Sequence, residues 1–231
     1  MDRSLKPLDV VCGASMGMDR QRVLRNTYAL LALSMVPTVL GAWLGMVMGF
    51  SFFAGSPLIS LVVFMAVAFG FFFAIEKFKN SGVGVLLLLG FTFFMGLMLS
   101  RLVGFALGMA NGASLVATAF GGTAVVFTGM ATMASTMKRD VSSLGKWLFM
   151  GMIVILVAAV ANIWLQLPAL HLAISAMAVV IFSAFILYDI KRVLDGGETN
   201  YVTATLAIYL DVYNVFSSLL QLLMALGGND D

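Results

Sequence analysis

The chain has 231 residues, of which 61% are hydrophobic and only 10% are charged, with 13 Lys and Arg against 11 Asp and Glu. Soluble domains are about 25% charged, and a water-soluble fold of this size could not bury so much apolar surface. One Cys and one His exclude an internal disulfide and a Cys- or His-rich metal cluster. The small net charge of +2 does not indicate nucleic-acid binding. The composition therefore indicates an integral membrane protein.

Seven apolar stretches are each long enough to cross a bilayer core of about 30 Å, which needs roughly 20 helical residues. They lie at residues 27–49, 57–75, 83–100, 113–136, 146–165, 170–190 and 203–226. None alternates with period two, and backbone groups in hydrocarbon must be paired within their own segment, so the sequence predicts an all-α membrane protein with seven transmembrane helices. The expected domains are a cytoplasmic tail at 1–26, a helical domain at 27–226 and a short acidic tail at 227–231.

Residues 13–17 in the amino-terminal tail match the G-x-S-x-G pattern of serine hydrolases. That pattern carries chemistry only between a strand and a helix, with a partnered His nearby. The one His, His171, is expected at the outer end of span six, a membrane thickness away from Ser15. We therefore interpret the match as coincidence, expect no catalytic residue or enzyme activity, and interpret His171 as an interfacial residue, with proton handling as the alternative.

Gly41, Gly45 and Gly49 recur at every fourth residue of span one. Small residues at this spacing let two helix backbones approach closely. Packing within the seven-helix bundle is the favoured interpretation, and a dimer interface is the alternative.

Lys and Arg residues determine the predicted orientation. Twelve of the 13 lie on one side, in the tail and in the 2–3, 4–5 and 6–7 connections, and Arg101 in the 3–4 connection is the exception. The basic residues assigned to the 4–5 and 6–7 connections are Lys138, Arg139, Lys146, Lys191 and Arg192. By the positive-inside rule the amino terminus is expected in the cytoplasm and the carboxyl terminus outside.

Two acids lie within the predicted spans, Asp189 near the cytoplasmic end of span six and Asp211 inside span seven. Acidic residues in hydrocarbon are costly and are functional candidates by default. At 1.5 Å per residue, Asp211 is roughly 12 Å deep and Asp189 roughly 3–6 Å deep, on neighbouring antiparallel helices. A modest tilt would bring the carboxyl groups together, to share one proton and act as a pH-dependent latch. The alternatives are two separately solvated acids, and a calcium ion bound by Asp189 and Asp211.

The connection between these spans is the most polar part of the predicted helical domain. Gly196 and Gly197 predict a tight turn, and Thr199 or Asn200 is expected to cap span seven. Span seven itself carries several polar residues and cannot face lipid on all sides. It is therefore expected at the centre of the bundle, surrounded by the other six helices.

Four stretches indicate a family: Val-Leu-Arg-Asn-Thr-Tyr at 23–28, Leu-Pro-Ala-Leu-His-Leu-Ala-Ile-Ser at 167–175, Gly-Gly-Glu-Thr-Asn-Tyr at 196–201 and Asp-Val-Tyr-Asn-Val-Phe at 211–216. The chain resembles the Bax inhibitor-1 family of transmembrane Bax-inhibitor-motif proteins, and among them the bacterial inner-membrane modulators of the FtsH protease. The resemblance implies six helices around a central seventh, an inner-membrane location, and a membrane-anchored AAA protease of the FtsH type as partner. It also implies Gly196, Gly197, Glu198, Thr199 and Asn200 as the family's turn motif. We expect no cofactor, with Ca²⁺ as a possible transported or bound ion.

For the wider family the resemblance implies a pH-sensitive calcium leak, closed by a diaspartyl pair that Asp189 and Asp211 match. In calcium-leak relatives a basic residue just after span two contacts this pair. Lys77 and Lys79 occupy that neighbourhood here without the Arg, and Glu76 lies beside them, so these three residues are the candidate gate partners. Protease modulation is the expected function, and a calcium or cation leak gated by the pair is the alternative.

Overall fold

The computed structural model describes residues 6–50, 57–139 and 141–227, with side chains described at 20–50, 59–139, 141 and 143–227. These residues form seven α-helices and no strand. The helices are α1 (Lys6–Val47), α2 (Pro57–Phe78), α3 (Gly82–Leu107), α4 (Gly112–Thr136), α5 (Ser142–Leu165), α6 (Pro168–Leu194) and α7 (Tyr201–Gly227). Each contains a stretch long and apolar enough to cross a membrane. The predicted all-α fold with seven transmembrane helices is confirmed.

Several helices extend past the apolar stretches that predicted them. Five basic residues assigned to connections therefore lie inside helices: Lys77 in α2, Arg101 in α3, Lys146 in α5, and Lys191 and Arg192 in α6. The assignment of these five residues to connections was wrong. Hydropathy identifies the segment in hydrocarbon, whereas helical hydrogen bonding continues into the headgroup region and beyond it.

The first helix runs without a break from Lys6 to Val47, and its membrane-crossing part begins at Arg20. It therefore crosses the expected boundary at residue 26 between tail and helical domain. Residues 13–17 lie inside this helix, so the G-x-S-x-G match does not form the strand–turn–helix that a nucleophile elbow requires. Most of the acidic tail expected at 227–231 lies outside the described residues.

Close packing joins α1 to α3. A methyl group added to Gly41 would overlap a backbone carbonyl of α3, and one added to Gly96 would overlap the carbonyl oxygen of Thr38 in α1. Gly45 lies against the Ser100 side chain in the same way. We call this contact, made by Gly41, Gly45, Gly96 and Ser100, the α1–α3 seam. Gly41 and Gly45 thus serve packing within the bundle, which is the favoured interpretation of their spacing, whereas Gly49 follows the end of α1 and has open space around it.

Helix α7 lies at the centre. Every residue from 201 to 225 is buried or half-buried, whereas each of the other helices presents exposed residues. Its neighbours are α1, α3, α4 and α6, with a smaller contact to α2. Helix α5 departs from the predicted ring because it packs mainly against α6. The middle of α5 is wholly apolar and suits lipid, and Trp147 and Trp164 at its opposite ends are 72% and 61% exposed.

Candidate functional site

The turn between α6 and α7 is held by its own polar groups. Gly196 has a φ of +82°, in the left-handed region that favours glycine. The Asn200 side-chain oxygen accepts hydrogen bonds from the backbone N–H groups of Val202 at 2.9 Å and Thr203 at 3.3 Å. Of the two residues expected to cap α7, Asn200 is the one that does so. Glu198 supports the turn by accepting the backbone N–H of Asn200 at 3.0 Å.

The carboxyl groups of Asp189 on α6 and Asp211 on α7 lie within hydrogen-bond reach of each other. Asp211 is only 5% exposed, and no donor among the described residues reaches its Oδ2 atom. Two ionised carboxylates are acceptors only, so a hydrogen bond between them needs a proton on one of the two. Such a hydrogen bond would join α6 to α7 while the pair holds one proton, and two ionised groups at this distance would repel each other.

A cavity of about 380 Å³ lies beside the pair, between α2, α6, α7 and the α6–α7 turn. Its polar walls are formed by Glu76, Asp189, Arg192 and Glu198. The Glu76 and Arg192 side chains are 61% and 46% exposed, so the cavity reaches the surface at this end of the bundle. Arg192 Nη2 lies 3.8 Å from Glu198 Oε2. The cavity therefore leads from the surface to Asp189, with charged groups among otherwise largely apolar walls.

The three candidate gate partners differ in their positions. Glu76 lines the cavity, and the Lys79 ammonium donates a hydrogen bond to its carboxylate. The Lys77 ammonium instead lies 5.7 Å from the centre of the Phe78 ring. The basic group that attracts the Asp189 carboxylate is Arg192. Arg192 was predicted only as a residue that orients the chain, although its position three residues after Asp189 on the same helix face is a signal for this contact.

Comparison with known proteins supports the family that the motifs indicated. Residues 20–229 match the family described as Bax1-I, inhibitor of apoptosis-promoting Bax1. The chain belongs to this family. Similar members include an uncharacterised protein of Neisseria meningitidis serogroup A, 40% identical over 215 residues that cover 92% of this chain and 95% of the relative. An uncharacterised membrane protein of Vibrio cholerae is 38% identical over 213 residues, with coverage of 92% and 93%.

A further relative has a named activity. It is the Escherichia coli K12 protein called modulator of FtsH protease YccA, which is 38% identical over 206 residues. The matched region covers 89% of this chain and 91% of the relative. The family match at residues 20–229 includes the membrane-crossing parts of all seven helices.

The opposite side of α7 contacts α1 and α3 through neutral groups. The Tyr209 hydroxyl lies 2.8 Å from the Thr38 hydroxyl and 3.4 Å from the Thr92 carbonyl oxygen. Closer to the α6–α7 turn, the Thr205 hydroxyl donates to the Thr27 carbonyl oxygen at 3.3 Å. All of these groups are buried. We call this the neutral side of α7, and the side that carries Asp211 its acidic side.

A second polar contact joins α6 to α7 near the other end of the bundle. The Ser175 hydroxyl lies 3.1 Å from Gln221 Oε1 and 3.0 Å from the carbonyl oxygen of His171. His171 is exposed in the first turn of α6, as expected for the start of span six. The α6–α7 interface of this family member therefore has a neutral polar link at one end and the aspartate pair towards the other.

Proposed function

We propose that this protein is an inner-membrane regulator that binds and modulates a membrane-anchored AAA protease of the FtsH type, and that it is not itself an enzyme. The observation that carries this proposal is the similarity, over 89% of the chain, to the Escherichia coli protein named modulator of FtsH protease. The serine-hydrolase match lies inside a helix and the one His lies at the start of α6. We therefore expect Ser15 and His171 not to form a catalytic pair, and we expect the protein to regulate the protease by binding to it.

The amino-terminal part of α1 is the proposed contact element. In the predicted orientation its residues before Arg20 extend into the cytoplasm as a helix continuous with the first span. A partner that binds there contacts the same continuous helix that carries Gly41 and Gly45 of the α1–α3 seam. We expect the protease to contact this extension together with the lipid-facing surfaces of neighbouring spans.

Co-purification tests the partner. The full chain with a carboxyl-terminal affinity tag is purified from gently solubilised membranes, beside a variant that lacks residues 1–18. We expect the protease to co-purify with the full chain and to be reduced at least about tenfold with the shortened chain, a loss that corresponds to about 1.4 kcal/mol. Absence of the protease from the full-chain sample in several detergents, and after cross-linking in intact membranes, would contradict the proposal.

The aspartate pair beside a surface cavity favours a second function, a pH-sensitive calcium or cation leak gated by Asp189 and Asp211. Two carboxylates provide fewer oxygen ligands than the six to eight that Ca²⁺ prefers, so the ion is treated as a transported substrate and not as a resident cofactor. Ionisation of both groups would separate α6 from α7 and widen the route from the cavity. The leak is therefore expected to increase as the pH rises.

Flux into proteoliposomes tests this second function. We expect calcium flux through the purified full chain to increase between pH 6 and pH 8, and expect this pH dependence to disappear in Asp189→Asn and Asp211→Asn. Asn214→Ala is the matched control, because Asn214 lies on the same helix and its amide bonds its own backbone at Leu210. Equal flux at both pH values in all four proteins would contradict a gate at the pair and leave protease modulation unaffected.

A further inference from the structure

Asn200 contacts two separate parts of the fold with one side chain. Its oxygen caps α7 by accepting the N–H groups of Val202 and Thr203. Its Nδ2 atom donates to the carbonyl oxygen of Lys79 at 3.2 Å and to Oδ1 of Asn80 at 2.8 Å. Because only the oxygen can accept two N–H groups, the cap fixes the orientation of the amide. The start of α7 is thereby tied to the residues that directly follow α2.

Helix α2 has few other contacts with α7. It packs mainly against α3, its contact with α7 is small, and only 17% of its apolar stretch is buried. Phe72 and Glu76 of α2 nevertheless form one wall of the cavity that contains Asp189. The distance between the end of α2 and the start of α7 therefore sets the width of this cavity at the surface.

We propose that Asn200 is a positioning residue that holds the end of α2 against the start of α7 and thereby limits the access of water and ions to the aspartate pair. The proposal rests on the proposed function only in treating Asp189 and Asp211 as a working site. The two halves of the Asn200 amide act independently. If α2 moves away, the Nδ2 bonds break while the cap remains, so the cavity opens without unwinding α7.

Thiol labelling in the full chain tests this role. Cys12 is the one native cysteine, so Cys12→Ala provides a background in which Ala207→Cys places a thiol on the α7 wall of the cavity. The rate of modification by a charged, membrane-impermeant methanethiosulfonate is measured in nanodiscs with Asn200 intact and with Asn200→Ser. Serine keeps a capping oxygen but is too short to reach Lys79 and Asn80. We expect the rate to rise at least about fivefold, the factor that corresponds to one lost hydrogen bond.

Three further variants separate the α2 contact from the cap. Asn80→Ala removes one of the two acceptors and is expected to give a smaller increase at Ala207→Cys. Asn200→Ala loses both functions and is expected to label at least as fast as Asn200→Ser. Ser143→Cys, on an exposed part of α5, is expected to react at the same rate whichever residue occupies position 200.

The proposal is overturned if Asn200→Ser labels like the parent protein, or if only Asn200→Ala is faster, because the cap alone would then matter. If Asn200→Ser does not fold, the Asn80→Ala variant decides, and an unchanged rate there overturns the proposal. Labelling requires neither protease nor ion. If the protease does not co-purify but Asn200→Ser labels faster than the parent protein, only the proposed function is overturned. If the protease co-purifies but Asn200→Ser labels like the parent protein, only the role of Asn200 is overturned.

Discussion

The two sides of α7 use different chemistry to contact their neighbours. On the neutral side, the hydroxyl groups of Tyr209 and Thr205 bond to α1 and α3, and these groups keep their protons over the whole physiological range. On the acidic side, Asp211 faces Asp189, and a hydrogen bond between these two carboxyl groups requires a proton on one of them. The contacts of α7 with α1 and α3 therefore do not depend on a titrating group, and neither does the Ser175–Gln221 contact with α6, whereas the contact between Asp211 and Asp189 does. We therefore expect a pH change to affect the aspartate pair and to leave the other contacts of α7 in place.

The largest loss of stability is expected at the α1–α3 seam, because it holds together the two helices that the neutral side of α7 contacts. Gly96→Leu would overlap the Thr38 carbonyl, and because backbone atoms cannot move aside the variant should lose about 3 kcal/mol or more of stability. Size-exclusion profiles and thermal unfolding in detergent measure the loss. Gly70→Leu is the matched control, since the space around Gly70 is open. Equal unfolding temperatures and size-exclusion profiles for Gly96→Leu and Gly70→Leu would show that the α1–α3 seam does not stabilise the fold.

The second effect concerns the pH dependence of stability. A hydrogen bond between the two carboxyl groups requires a proton that separate, solvated carboxyl groups release above about pH 5, so we expect the unfolding midpoint of the parent protein to fall as the pH rises. The slope for one proton is at most about 1.4 kcal/mol per pH unit. In Asp189→Asn the amide donates to Asp211 at every pH, and the profile between pH 6 and pH 8 should become flat.

A control substitution at an acid outside the pair tests whether the pair causes this change of stability with pH. The charged groups near Asp189 are Arg192 and Glu198, and both remain in the Asp189→Asn variant. Asp195 at the end of α6 pairs with Lys191 at 2.8 Å and is 47% exposed. Asp195→Asn should therefore keep the slope of the parent protein between pH 6 and pH 8. A flat profile in the parent, or a flat profile in Asp195→Asn, would contradict assignment of the slope to the pair.

A smaller effect is expected on the neutral side. Tyr209→Phe removes the hydroxyl that contacts Thr38, and should lower stability by about 1 kcal/mol. The loss should be equal at pH 6 and pH 8, because neither hydroxyl titrates there. Unfolding midpoints at the two pH values measure it. A loss present at only one pH would show that the two sides of α7 are not chemically separate.

The smallest effect is expected at the Ser175–Gln221 contact, on the same α6–α7 interface as the aspartate pair. Ser175→Ala should cost about 0.6 kcal/mol, the average for a side-chain hydrogen bond in a membrane bundle. The unfolding midpoint should fall slightly and the slope with pH should stay that of the parent protein. A changed slope would mean that pH sensitivity is spread along the interface.

Much of this arrangement could be predicted from the amino-acid sequence. Apolar length alone identifies seven helices, because hydrocarbon leaves the backbone no alternative. Depth counting along two antiparallel helices also indicates that Asp189 and Asp211 can meet. The ends of helices are less predictable, since α3 passes Arg101 and α6 passes Arg192 without any change in backbone conformation. Charge marks where the membrane ends, and the helix continues past that point.

The residues that sequence reasoning missed act across tertiary contacts. Asn200 is predictable as a cap from its position before an apolar helix, because capping is local. Its bonds to Lys79 and Asn80 join residues about 120 positions apart, and no local pattern encodes them. Arg192 lies between these cases, because its spacing from Asp189 is local but its place in the cavity depends on how α2, α6 and α7 pack.

The position of α5 at the edge of the bundle has a consequence for measurement. Trp147 and Trp164 both point outward, and 17 residues of helix between them correspond to about 26 Å, close to the thickness of the hydrocarbon layer. Because α5 packs mainly on α6, these two indoles report on a helix that contacts α6 directly. In a Trp43→Phe background, which removes the third tryptophan, quenching of their fluorescence by lipids brominated at known depths would therefore record the tilt of that part of the protein in a bilayer, without any attached label.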